Sequence, residues 1–177
     1  MRSVVTGGLA AVGVALASVT LLSKDTGYPM LGVMLLVVGV GAGFAFTVTA
    51  DVILSTVPKD QAGSASAVSE TAYELGAALG IALLGSIVTG VYQDFVTPHG
   101  VPAEAATAAH ESLGGAVEVA HGLPAEQAHA LVAAAQDSFV DGLHIAAGIG
   151  AVVLIATAAA AWFLLRGQAL EEEIEHP

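Results

Sequence analysis

One stretch of this sequence decides the fold: Val57-Pro-Lys-Asp-Gln-Ala-Gly-Ser-Ala-Ser-Ala-Val-Ser-Glu70-Thr-Ala-Tyr-Glu74-Leu-Gly76, followed by small and apolar residues from Ala77 to Ile87. A polar loop opens the stretch, and two glutamates lie near the start of an apolar run of membrane length. An ionisable group at the centre of a membrane helix costs about 2.5 kcal/mol or more on insertion scales, so it usually faces a bundle interior or a water-filled cavity. The stretch therefore predicts a membrane helix whose carboxylates belong to a transport pathway.

The composition indicates a membrane protein. Of the 177 residues, 55% are hydrophobic and 11% are charged, whereas soluble domains carry about 25% charged residues. The mean hydropathy is +0.79. With a net charge of −12 and four basic residues, the chain is a poor match for nucleic acid or for anionic lipid headgroups. The absence of cysteine excludes disulfide and thiolate chemistry.

Four segments are long enough to span a bilayer, which requires about 20 mostly apolar residues. They cover about residues 4–22, 30–57, 65–92 and 139–165. No segment alternates as a strand would, so the predicted fold class is an all-α membrane protein with four transmembrane helices. Membrane lipids are its expected surroundings, and a multi-pass position in the plasma membrane is its expected location.

The first segment has an alternative interpretation, and the basic residues predict an orientation. Arg2, a short apolar stretch and Ala15-Leu16-Ala17 are also typical of a signal peptide with a cleavage site. Three further spans and the weakly basic start favour a retained helix. Cytoplasmic N- and C-termini would place three of the four basic residues inside, as the positive-inside rule favours: Arg2, Lys59 and Arg166.

The segment between the third and fourth spans, about residues 93–138, has no Lys or Arg. Pro102-Ala-Glu104 and Pro124-Ala-Glu126 are typical helix starts. An apolar stripe follows each of them: Ala106, Ala109, Leu113, Val117 and Ala120, then Ala128, Leu131, Val132, Ala135 and Phe139. We expect an extracellular helical hairpin there. The acidic tail, residues 167–177, is expected to be solvated and disordered.

Glu70 and Glu74 are four residues apart and share one helical face. A different stripe of small residues, including Gly76 and Gly80, lies about a third of a turn away and suits close packing against another helix. We assign Gly76, Gly80 and Gly85 to helix packing, and expect the two carboxylates to point toward a cavity. The alternative is that the membrane span begins late and both acids lie in the headgroup layer.

Asp51 lies in the second span, with Thr47 and Ser55 one turn to either side. This polar stripe is typical of a helix that lines water. The alternative is that Asp51 marks the cytoplasmic end of a helix longer than the bilayer requires.

The remaining polar residues do not form a catalytic or metal-binding constellation. His99, His110 and His121 recur every eleven residues, about 16 Å along a helix, which is too far for a shared metal ion, so they are interpreted as solvated. His144 and Asp141 are a candidate interfacial pair. The sequence lacks a Ser-His-Asp order, a zinc spacing and a phosphate-binding glycine loop, so no enzyme activity, metal or cofactor is expected.

Residues 39–92 carry a family resemblance. Gly39-Val-Gly41-Ala-Gly43, the loop Pro58-Lys-Asp-Gln-Ala-Gly63, and Glu70-Thr-Ala-Tyr-Glu74-Leu-Gly76 with Gly80 and Gly85 together resemble the fourteen-helix drug:proton antiporters of the major facilitator superfamily. The alanine-rich loop and Asp141-Gly-Leu-His144 are also similar. The resemblance covers nearly the whole chain but only the last four helices of that family, so Met1 is expected to be an internal or artificial start.

The resemblance implies part of a major facilitator fold that exports lipophilic or cationic drugs, driven by a proton gradient. Glu70 matches a membrane acid that takes part in cation recognition or proton coupling, Glu74 matches a position that is usually acidic, and Asp51 is included as a weaker match. The expected partners are the drugs and the missing N-terminal helices, without which the chain should not transport. The alternative is a self-standing four-helix membrane protein with an assembly or regulatory role.

Overall fold

A computed structural model describes residues 2–23, 26–55 and 57–175, with the side chains of residues 5–23, 26–55 and 57–164. Throughout these ranges the regular structure is helical, in the order α1 (Arg2–Val19), α2 (Tyr28–Ser55), α3 (Ala62–Gln93), α4 (Ala103–Glu111), α5 (Leu113–Ala120) and α6 (Ala125–Glu175). For the described part of the chain, this confirms the predicted all-α class.

Three helices are long and apolar enough to cross a membrane: Tyr28–Ser55, Ala62–Gln93 and Ala125–Leu164. Three of the four predicted spans thus coincide with helices of sufficient length and apolar content to cross a membrane. The first is shorter than predicted, because α1 ends at Val19 and its apolar part covers Val5–Val19. Many large apolar side chains remain exposed, such as Leu35 (71%) and Phe163 (70%). Such extensive apolar surface is unusual in a soluble monomer and suits contact with hydrocarbon.

The chain forms two compact modules. We call Met1–Ser18, Gly27–Leu79 and Gly148–Pro177 the bundle module, and Val19–Thr26 with Gly80–Ala147 the loop module. Both α3 and α6 contribute residues to each module.

Close helix packing in the bundle module depends on glycines of α1 and α2. A Cβ atom added at Gly8 would lie 2.9 Å from the carbonyl oxygen of Gly41, and one added at Gly41 would lie 2.8 Å from Cγ2 of Val12. On another side of α1, a Cβ atom at Gly13 would lie 3.0 Å from Cγ1 of Ile155 in α6. The helix α1 thus packs against both α2 and α6.

The loop module has a small apolar core contributed by the end of α3 and by α4, α5 and α6. Its buried members are Tyr92, Phe95, Ala109, Ala116, Leu131 and Ala135. The helix starts predicted after Pro102 and Pro124 are confirmed, since α4 begins at Ala103 and α6 begins at Ala125.

Three predictions for this region were wrong. The first predicted loop helix is interrupted at Ser112, whose hydroxyl accepts a hydrogen bond from the backbone N–H of Gly115 and so caps α5. Because of this interruption, Ala116 is buried and Val117 is exposed. The second loop helix and the fourth span form one 51-residue helix, α6, and not two helices.

The predicted disorder of the acidic tail was also wrong for most of its length. The helix α6 continues to Glu175, and the Ala, Leu and Glu residues of the tail are good helix formers. His176 and Pro177 lie outside the described residues.

Candidate functional site

The helix α3 presents two different faces in the bundle module. Glu70 and Glu74 are exposed, whereas Ala65, Ser69 and Tyr73, spaced four residues apart, are half-buried. The carboxylates thus lie on a different face from Ala65, Ser69 and Tyr73, whereas Ala72 and Gly76 of the predicted small-residue stripe are exposed. The Ser69 hydroxyl donates to the Ala65 carbonyl at 2.9 Å, so this inward face satisfies its own hydroxyl within the helix.

The length of α3 sets the depth that the two carboxylates would have if the helix were centred in a bilayer. In a hydrocarbon layer about 30 Å thick, a centred 32-residue helix would place Glu70 about 4 Å and Glu74 about 10 Å inside the boundary. At such a depth a carboxylate would face protein or water and not lipid. In that placement, the exposed face that carries Glu70 and Glu74 would need a polar or proteinaceous covering.

Asp51 is exposed on a separate helix, one turn before α2 ends at Ser55. The hydroxyls one turn to either side bond within α2: Thr47 donates to the Gly43 carbonyl at 2.8 Å and Ser55 to the Val52 carbonyl at 3.0 Å. Since both hydroxyls are satisfied by their own helix, this stripe does not require contact with water. The position of Asp51 near the helix end favours the interpretation that it reaches the membrane boundary.

The three glycines assigned to helix packing have open space around them in the described chain. No atom of another described segment lies within 4 Å of a Cβ atom built at Gly76, Gly80 or Gly85. Their role in helix packing therefore stays a prediction, and it concerns contacts with helices outside this chain. Other glycines of the described chain do make close approaches, among them Gly8 and Gly41 and, in the loop module, Gly142, where a Cβ atom would lie 3.0 Å from the Val88 carbonyl oxygen.

Two cavities in the bundle module share Tyr73. A groove of about 500 Å³ extends from the start of α3 and includes Gln61, Ser64 and Ser69. A chamber of about 230 Å³ lies among α1, α2, α3 and α6; it is lined by Leu9, Val12, Ala42, Ala45, Phe46, Thr49, Tyr73 and Leu154. Neither carboxylate of α3 lines these two cavities.

Tyr73 was not singled out from the sequence. Its ring lies edge-to-face with that of Phe46, with centroids 5.1 Å apart and ring planes at 81°. Its hydroxyl is buried and has no hydrogen-bond partner among the described residues. One sequence feature could have identified it: it is an isolated tyrosine among small residues, between two glutamates.

Two histidines of the loop module, His144 and His110, have structural contacts. His144 Nε2 lies 2.8 Å from the carbonyl oxygen of Leu22, to which it donates. The interpretation of His110 as solvated was wrong: its Nδ1 donates to the Gln93 carbonyl, its Nε2 lies 2.9 Å from Thr97 Oγ1, and its ring stacks on Phe95. Within the described ranges, no three His, Asp or Glu side chains form a group that could hold a metal ion.

Membrane-length apolar helices, one of them carrying carboxylates on an exposed face, define an α-helical membrane protein. Curated relatives then identify its family. The chain is 40% identical over 153 residues to the multidrug efflux pump LfrA of Mycolicibacterium smegmatis, an alignment that covers 86% of this chain and 30% of the relative.

Two other curated relatives are also named as drug resistance or export proteins. The methyl viologen resistance protein SmvA of Salmonella typhimurium is 29% identical over 166 residues, with 93% of this chain and 34% of the relative covered. The tetracenomycin C resistance and export protein of Streptomyces glaucescens is 31% identical over 168 residues, with 87% and 31% covered. The chain belongs to this family, the drug-efflux transporters of the major facilitator superfamily, and spans about a third of the length of these relatives. No family model matches the chain, and no solved structure matches it.

Proposed function

We propose that this chain is the C-terminal part of a proton-coupled exporter of lipophilic or cationic compounds, contributing its last four membrane helices. The observation that carries the proposal is the exposed acidic face of α3, on which Glu70 and Glu74 lie one turn apart. Two carboxylates at membrane depth attract cations, and a carboxylate that loses hydration binds a proton more readily. One such group can thus exchange a proton for a cationic substrate.

The remaining helices of the transporter are proposed to cover this acidic face. Alternating access requires two halves that move about a central site, and the chain has the length of about a third of its relatives. The open space beside Gly76, Gly80 and Gly85 is suited to the close approach of such helices. The chain by itself is therefore expected to bind neither drug nor proton productively.

The names of the relatives support a cationic or lipophilic substrate. One relative is named for methyl viologen, which is a dication, and another for the export of tetracenomycin C. In the proposed topology the termini and the loop between α2 and α3 are cytoplasmic, and the segment of residues 93–138 is extracellular. No enzyme activity is assigned.

The experiment replaces Glu70 by Gln in the whole product of the reading frame and follows efflux of ethidium, a fluorescent lipophilic cation. Glutamine keeps the size of the side chain but holds no charge and no exchangeable proton, so the rate of efflux should fall at least tenfold at unchanged protein level. Glu111→Gln, an exposed acid of α4, is the matched control and should leave efflux unchanged. Normal efflux in Glu70→Gln would remove this residue from the mechanism.

A further inference from the structure

The chamber around Tyr73 is almost wholly apolar. Six of its eight lining residues have hydrocarbon or phenyl side chains, and the two others are Thr49 and Tyr73. The Tyr73 hydroxyl is buried without a hydrogen-bond partner among the described residues. A buried hydroxyl without a partner is destabilising, and such an exception in a native structure calls for an explanation.

We propose that this chamber binds one aromatic ring of a lipophilic cation and that the Tyr73 hydroxyl donates a hydrogen bond to an acceptor atom on that ring. The proposal rests on the proposed function for the cationic character of the ligand. It assigns to Tyr73 a role in selecting among substrates, separate from the charge supplied by Glu70.

The size and the walls of the chamber determine the ligand group. Its volume of about 230 Å³ is somewhat larger than the roughly 150 Å³ apolar cavity that accepts benzene, and smaller than the roughly 300–1,000 Å³ site of a whole drug. It therefore fits a single substituted ring. Phe46 and Tyr73 meet edge-to-face at 5.1 Å, an arrangement that a third ring can extend.

Tyr73 places the chamber next to a second cavity. The same residue also lines the larger groove that includes Gln61, Ser64 and Ser69. The rest of a bulky ligand can remain in this more polar groove while one ring enters the chamber. Because the groove and chamber both belong to the bundle module, the site does not depend on the loop module.

The test compares two cations that differ at one position. (4-Methoxyphenyl)triphenylphosphonium carries an ether oxygen that accepts a hydrogen bond, and (4-ethylphenyl)triphenylphosphonium has a methylene group in its place. Equilibrium binding is measured on the whole reading-frame product in lipid nanodiscs, with no proton gradient. The unmodified protein should bind the methoxy cation about three- to tenfold more tightly, as expected for one net hydrogen bond.

Tyr73→Phe should abolish this preference while the ethyl cation binds as before. Tyr28→Phe makes the same chemical change at a tyrosine that is 89% exposed and should keep the preference. Equal binding of the two cations by the unmodified protein would overturn the proposal, and so would a preference that persists in Tyr73→Phe. If the preference is found but neither cation is exported, the proposed export function fails and the binding site stands.

Thermal unfolding without ligand provides an independent measurement. Since the hydroxyl has no partner to lose, Tyr73→Phe should keep or raise the midpoint of unfolding. A midpoint several degrees lower than that of the unmodified protein would show that the hydroxyl is already satisfied, and would overturn the proposal.

Discussion

The Tyr92 hydroxyl donates a 2.7 Å hydrogen bond to the carbonyl oxygen of Ala109, seventeen residues further along the chain. Tyr92 is the penultimate residue of α3, and Ala109 lies in the last turn of α4. Carbonyl groups in the last turn of a helix have no intrahelical partner, so this phenol satisfies a buried acceptor. Within the loop module, one side chain thereby ties α4 to the end of α3.

Replacing Tyr92 by Phe should destabilise the loop module by about 1–3 kcal/mol, because the Ala109 carbonyl remains buried without its donor. Hydrogen exchange of the α4 amides measures this free energy directly. Tyr28→Phe removes an exposed hydroxyl and should change it by a few tenths of a kcal/mol at most. Unchanged hydrogen-exchange rates in Tyr92→Phe would contradict the prediction, because water would then replace the phenol as donor without loss of stability.

Gly115 should not tolerate a side chain, whereas its neighbour should. A Cβ atom at Gly115 would lie 2.5 Å from the Ala108 carbonyl oxygen, while one at Gly114 would lie 3.8 Å from Ser112 Oγ. Gly115→Ala should therefore separate α4 from α5 and cost about 1–3 kcal/mol. Gly114→Ala should be neutral or stabilising by up to about 1 kcal/mol, since alanine favours helix. The same hydrogen-exchange measurement distinguishes the two, and equal effects would contradict the close contact.

The topology can be tested with single cysteines, because the chain contains none. Val96 is 83% exposed in the loop module, and Asp60 is exposed in the loop before α3. In intact cells, an impermeant maleimide should label Val96→Cys but not Asp60→Cys, and lysis should expose the second site. Ser112 is unsuitable for this purpose because it caps α5. The reverse labelling pattern would place the segment of residues 93–138 in the cytoplasm.

Asp51 and Glu70 should differ in their contribution to export. Asp51 lies one turn from the end of α2, where a charge reaches the headgroup layer at little cost. Asp51→Asn should therefore reduce ethidium efflux less than Glu70→Gln, at equal protein levels. A complete loss in Asp51→Asn would assign that residue to the coupling machinery and contradict the boundary interpretation.

The long helices, and the helix starts that follow a proline, could be predicted from the sequence because their signals are local. Length, apolar content and the residues after Pro102 and Pro124 sufficed to predict where helices lie. The interruption at Ser112 also had a local signal, a serine three residues before the glycine whose N–H it accepts, but the continuous apolar stripe obscured it. The shift in burial from Val117 to Ala116 follows from that one interruption.

Contacts between distant residues could not be predicted in the same way. The bond between His144 and Leu22 joins residues 122 positions apart, and the chamber around Tyr73 requires side chains from four helices. No periodicity within one helix specifies which neighbour it meets. The acidic face of α3, in contrast, could be predicted because both glutamates belong to the same helix.

Two hydrogen bonds and a ring contact hold His110 at the junction between the end of α3 and α4. A carbonyl only accepts, so Nδ1 donates to the carbonyl oxygen of Gln93. The other ring nitrogen, Nε2, lies 2.9 Å from the Thr97 hydroxyl, and Phe95 stacks against the imidazole at 4.3 Å. One side chain of α4 therefore holds three successive points of the segment that leaves α3, so the path of the chain between these two helices depends on a single imidazole.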